Sequence, residues 1–116
     1  MKPILCLDFD GVVHSYTSGW KGADVIPDAP VGGAFDFIRE ADEYFDVQIF
    51  SSRSHQPGGI QAMKDWCTKY ANSPLPVTFP QHKPSAMVSI DDRAVTFEGA
   101  WPNVKVLTKF KPWNKR

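Results

Sequence analysis

The chain has no internal repeat, no low-complexity tract and no apolar run approaching the ~20 residues that a membrane-spanning helix requires. Solenoid and bilayer-spanning architectures are therefore not expected. Cysteine is scarce, with two among 116 residues. Cys6 falls in the first apolar run and Cys67 in a helical pattern, and neither has a Cys or His at ligand spacing. They read as buried free thiols, which excludes a disulfide framework or a zinc knuckle. A signal peptide is also missing, since the N-terminal apolar stretch is short and runs straight into acids, so a cytoplasmic protein is expected. The length suits one domain with one core, spanning residues 1–116.

Net charge is zero but unevenly distributed. Up to Asp46 there are nine acids against Lys2, Lys21 and Arg39, whereas after Glu98 there are five bases and no acid: Lys105, Lys109, Lys111, Lys115 and Arg116. Interleaved with Phe110 and Trp113, this basic C-terminal segment suits a phosphate backbone or a stacked base, which makes nucleic acid a candidate partner. A solvated edge strand whose lysines discourage aggregation is the more ordinary reading.

The most informative stretch is residues 4–13, Ile-Leu-Cys-Leu-Asp-Phe-Asp-Gly-Val-Val. It is an apolar run closed by two carboxylates at i and i+2. Side chains two apart on an extended chain project to the same side, so Asp8 and Asp10 are expected to stand together where a buried strand leaves its sheet. Like charges so close call for a cation or a shared proton.

Residues 11–30 are rich in Gly, Pro, Ser and Asp and read as a long loop beside the acidic pair, of the kind that often covers a site. Helical periodicity over residues 31–44 and again after Pro57-Gly58-Gly59 predicts two helices, the second stopped by Asn72-Ser73-Pro74. Short strands are expected at 3–7, 47–50 and 87–90, a less definite one at 75–79, and a last one at 104–107. Strands alternating with helices imply an α/β fold with a mostly parallel sheet of about five strands.

Three expected strands finish on polar residues: Asp8-Phe9-Asp10, Ser51-Ser52-Arg53 and Asp91-Asp92-Arg93. Strand carboxyl ends line the ligand crevice of open α/β sheets, so these groups should converge. Four carboxylates near one point need a hard cation, and Mg²⁺ fits best. A carboxylate beside that cation is a competent nucleophile towards phosphorus, and a second acid can move protons. Ser51 offers a hydroxyl and Lys83 a positive charge for the phosphoryl oxygens.

In this order, Asp8-Phe9-Asp10-Gly11-Val12-Val13, then Ser51, then Lys83, then Asp91-Asp92 resembles the four motifs of the haloacid dehalogenase-like (HAD) phosphohydrolase superfamily. The likeness spans almost the whole chain. It implies a three-layer Rossmann-like core and a Mg²⁺-dependent phosphomonoester hydrolase working through an aspartyl phosphate. Asp8 would be the nucleophile, Asp10 the general acid/base, and Lys83 the group that neutralises the intermediate. Ser51, with Ser52 and Arg53, would bind substrate. Asp91, assisted by Asp92, would hold the metal together with Asp8 and the Asp10 carbonyl.

Within the superfamily, Ser-Ser-Arg and Asp-Asp-Arg look most similar to the phosphatase domains of polynucleotide kinase-phosphatases and to small phage-type members. Neither gap after a strand has room for a cap domain, so the resemblance implies an open site and phosphates on nucleotides or nucleic-acid ends. The competing expectation is a non-catalytic phosphate- or nucleic-acid-binding module on the same scaffold. A receiver domain is disfavoured, because receivers carry their acceptor on a later strand. His14, His55 and His82 neighbour the motifs without zinc spacing, and surface or supporting roles are expected for them.

Overall fold

A computed structural model describes residues 1–116. Its elements run β1 (Ile4–Leu7), α1 (Ala34–Ala41), β2 (Asp46–Ile49), α2 (Gly59–Ala71), β3 (Val88–Ile90), α3 (Val104–Leu107) and a final 3-10 turn, Trp113–Lys115. The strands form one parallel sheet in the order β2-β1-β3. Central β1 is the apolar run Ile-Leu-Cys-Leu, as a strand paired on both sides requires. No helix is long and apolar enough to cross a membrane.

Leu5 and Leu7 of β1 and Val47 and Ile49 of β2 share one sheet face and join a single core with Ile38 and Ala41 of α1 and Met63, Trp66 and Cys67 of α2. The two helices also touch each other: the rings of Phe35 and Trp66 meet edge-on at 6.0 Å, and Arg39 donates to Ser73 Oγ at 2.7 Å. Both therefore pack on the same face. Cys6 and Cys67 are buried free thiols, and burial pushes the Cys67 thiol up to about 12, which makes it inert at neutral pH.

The α/β class and the parallel sheet agree with the sequence pattern, but the five-strand expectation does not hold. The segment at 75–79 contributes one parallel bridge, Gln48 to Thr78, with Thr78 N–H donating to Val47 O and Ile49 N–H to Thr78 O. Prolines at 74, 76 and 80 remove the donors that a longer ladder would use. Residues 104–107, expected as a last strand, are helical instead. The Asn103 side chain accepts from Lys105 N–H at 2.8 Å and Val106 N–H at 3.3 Å, an N-cap that outweighs the β preference of two valines with no strand to pair against. Since α3 buries no residue, a complete three-layer core is not present either.

The first helix is shorter than its apolar period, because Gly33 holds its N-cap in a left-handed conformation. The second ends where Asn72 turns left-handed, at φ 60°.

Candidate functional site

Parallel register brings the expected groups together. Leu7 pairs with Ile49 on one side and Ile90 on the other, so the next residues of all three strands leave the sheet at one edge. Asp8 N–H donates to Ile90 O at 3.0 Å and Phe50 N–H to Leu7 O at 3.0 Å, extending the ladders by one step to the point of exit. Beyond that edge lies a cleft of about 190 Å³ lined by Asp8, Ser51, Ser52, Lys83 and Asp91, with Cys6 and Ser89 among its other walls. A hollow of about 530 Å³ beside α2 is larger, but Lys64 is its only charged wall and it gathers no acids.

Carboxylate oxygens of Asp8, Asp91 and Asp92 all lie within 4.8 Å of one another. Burial pushes the Asp8 carboxyl up to about 8, and a hydrogen bond with Asp92 and the charge of Asp91 add to the effect. The proton thus takes the place of a counter-charge. Asp92 Oδ1 is buried without a donor, an acceptor that a cation would satisfy. An all-oxygen donor set of this kind suits a hard divalent ion and not a soft one.

Gly11 fixes this corner. Its φ is +83°, and a Cβ there would stand 2.1 Å from Asp92 Oδ2, so only glycine lets the Asp92 carboxylate reach the cluster. Asp91 Oδ1 accepts from Arg93 N–H at 2.8 Å, a side-chain turn that aims its carboxylate; no helix begins here for these acids to cap.

Asp10 does not join the three acids, so the expected meeting of four carboxylates becomes three. Its carboxylate turns the other way and accepts from Arg53 Nε at 3.0 and 3.2 Å and from His14 at 2.9 Å. His14 is fully buried. Its Nε2 accepts from Asp28 N–H at 3.1 Å, so the ring proton sits on Nδ1 and is donated to Asp10. The ring packs against Phe9, Tyr16 and Trp66. Tyr16 has a left-handed backbone at φ 61°, unusual for an aromatic residue, and burial together with the nearby Asp10 charge pushes its phenol up.

Ser51 is buried at the head of the loop after β2. Its Oγ accepts from Arg53 N–H at 3.1 Å, which leaves the hydroxyl proton free to donate into the cleft. Ser52 is exposed on the wall. Arg53, expected among the substrate-binding residues, does not line the cleft: its side chain is fully buried and bonded to Asp10 and to loop carbonyls. Lys83 is exposed at the mouth. His55 meets Phe50 at 5.9 Å on the outside of the loop, and His82 makes no side-chain bond.

Sequence reasoning did not anticipate the part taken by the C-terminus. Trp113 Nε1 donates to Gly11 O at 2.7 Å and Asn114 Nδ2 to Ser15 O at 2.9 Å, so the basic segment docks on the loop that carries the acidic pair. A contact across about a hundred residues has no local signal. Comparison with protein-family models, with curated proteins and with solved structures found no match for this chain.

Proposed function

We propose that the protein is a Mg²⁺-dependent phosphomonoester hydrolase of the HAD type, with Asp8 as its nucleophile. The observation that supports this reading most is the convergence of Asp8, Ser51, Lys83 and Asp91 on one small cleft from separate parts of the chain. In the first step an Asp8 oxygen bonds to phosphorus while the bond to the leaving oxygen breaks, and that oxygen takes a proton that Asp10, swung from Arg53 into the cleft, has drawn from water. In the second, water gives a proton back to Asp10 and attacks phosphorus, releasing phosphate and restoring the Asp8 carboxylate. Ser51 and Lys83 hold the phosphoryl oxygens. Bound to Asp8, Asp91 and Asp92, the cation would neutralise charge on the acids and on the transferring group.

A polyanionic substrate fits the surroundings best. A groove of about 560 Å³ in the C-terminal segment is lined by Lys109, Lys111, Arg116 and Phe110, among others, and contains no acid. The segment is tied to the acidic loop through Trp113. Cations beside an aromatic face are what a single-stranded nucleic acid requires, so terminal phosphates of nucleotides or nucleic acids are the preferred substrates. The same groove is what favours the second reading, a nucleic-acid-binding module without turnover.

Purified protein is expected to hydrolyse a generic aryl phosphate with Mg²⁺ and to lose that activity on chelation. Silence across a panel of phosphomonoesters that includes 3′- and 5′-phosphorylated oligonucleotides, together with salt-dependent oligonucleotide binding, would overturn it in favour of the binding module.

A further inference from the structure

Arg53 touches both Asp10 and the middle of the 11–30 loop. Its side chain is fully buried. Nε spans the two oxygens of Asp10 at 3.2 and 3.0 Å, while the two N–H of Nη1 are shared among three loop carbonyls, Gly22 at 2.8 Å, Ala23 at 2.9 Å and Val25 at 3.1 Å. Trp20, from the same loop, covers the guanidinium at 4.7 Å. From behind, the start of α2 presses on the Arg53 backbone: a Cβ on Gly59 would stand 1.9 Å from Arg53 O. The arginine cannot retreat, and a desolvated guanidinium cannot be left without its counter-charge and acceptors. Departure of either the loop or the Asp10 carboxylate would strand it.

The geometry points to Arg53 as a positioning residue that binds the Asp10 carboxylate and residues 19–26 into one unit, so that the proton-transfer group is in place only when this loop is seated. His14 reinforces the linkage from the other side, since its ring joins Asp10 to Asp28. Nη2 has no partner within the protein, so the arginine retains a spare donor with which to follow the carboxylate if it swings towards substrate. A planar fork with separate faces for carboxylate and carbonyls is needed for this, and lysine cannot supply it.

Lys21 lies in the loop, exposed, immediately before the carbonyls that Arg53 holds, and trypsin cleavage after it reports whether the loop is seated. Arg53→Lys is expected to be nicked at Lys21 at least tenfold faster than the wild type. Asp10→Asn, which leaves the loop's own sequence untouched, is expected to be nicked at least threefold faster. An unchanged rate in Asp10→Asn would overturn the linkage, and this outcome does not depend on turnover.

The kinetic arm rests on the phosphatase reading. Arg53→Lys should lower kcat about a hundredfold with KM within threefold, yet cost nothing further when added to Asp10→Asn. A further loss in the double variant would mean that Arg53 does not act through Asp10. Should Arg53→Lys fail to fold, Trp20→Ala, which trims an exposed cover, answers the same question with smaller effects in the same directions. A wild type without activity but with Asp10-dependent nicking would retire the phosphatase reading while leaving the linkage intact.

Discussion

At the scale of single residues, the two acids that look alike in sequence are placed in opposite electrostatic settings. Asp8 is half-buried beside Asp91 and Asp92, which makes its proton hard to remove; Asp10 is half-buried beside a permanent cation. The Asp8 carboxyl is raised to about 8, so the folded, metal-free protein binds a proton that the unfolded chain releases near pH 4. The stability this contributes is full below that value and falls away as pH rises towards 8. Urea midpoints in chelator should therefore drop between pH 5 and pH 8, and Asp8→Asn should flatten the drop. Cation binding has to expel the same proton, so affinity should climb about tenfold per unit over that window. An affinity independent of pH would argue against Asp8 as a ligand.

Gly59 makes a prediction of another kind. Gly59→Ala drives a methyl into the Arg53 carbonyl, and an overpacking cost of about 1–3 kcal/mol is expected, measurable as a lowered denaturant midpoint. The residue-level pattern was partly legible in the sequence. Asp8, Ser51 and Asp91 stand at strand ends by local rules alone. The diversion of Asp10 was hidden, because it depends on an arginine and on a histidine ring whose burial only tertiary packing decides.

Among the elements, β1, β2, β3 and α2 follow directly from apolar runs and periodicity, and the three strands are the elements that aim the site. Residues 104–107 mark the limit of composition as a guide to local structure. Val-Lys-Val-Leu has the composition of a strand, yet a strand needs a neighbour, and here an asparagine cap was enough to decide the local structure. Asn103→Ala should remove about 0.5–2 kcal/mol from α3. Faster amide exchange over 104–107 is expected, with the main unfolding transition hardly moved, since the helix buries nothing. A shift of the whole transition would show that α3 is better packed than its exposure indicates.

At the scale of the whole molecule, a small sheet carries a polar edge closed on one side by a loop pinned through Arg53 and on another by the C-terminal turn. The second closure rests on Trp113, whose indole N–H bonds the carbonyl of Gly11 while that glycine packs against Asp92. Trp113→Phe keeps an aromatic ring and removes the donor. It should cost about 1 kcal/mol in stability and weaken cation binding severalfold, read by titration calorimetry. Unchanged cation affinity would separate the C-terminus from the acidic centre. None of this closure was visible along the chain, since nothing local to Gly11 or to Trp113 says that the two meet.

The central claim is that Asp8 attacks phosphorus. The direct test is kcat/KM for an aryl phosphate with Mg²⁺ in the wild type and in Asp8→Asn, with circular dichroism to verify the fold. A loss of at least about a thousandfold in a folded variant is predicted, as expected when a nucleophile is removed. Undiminished turnover in Asp8→Asn would contradict the account.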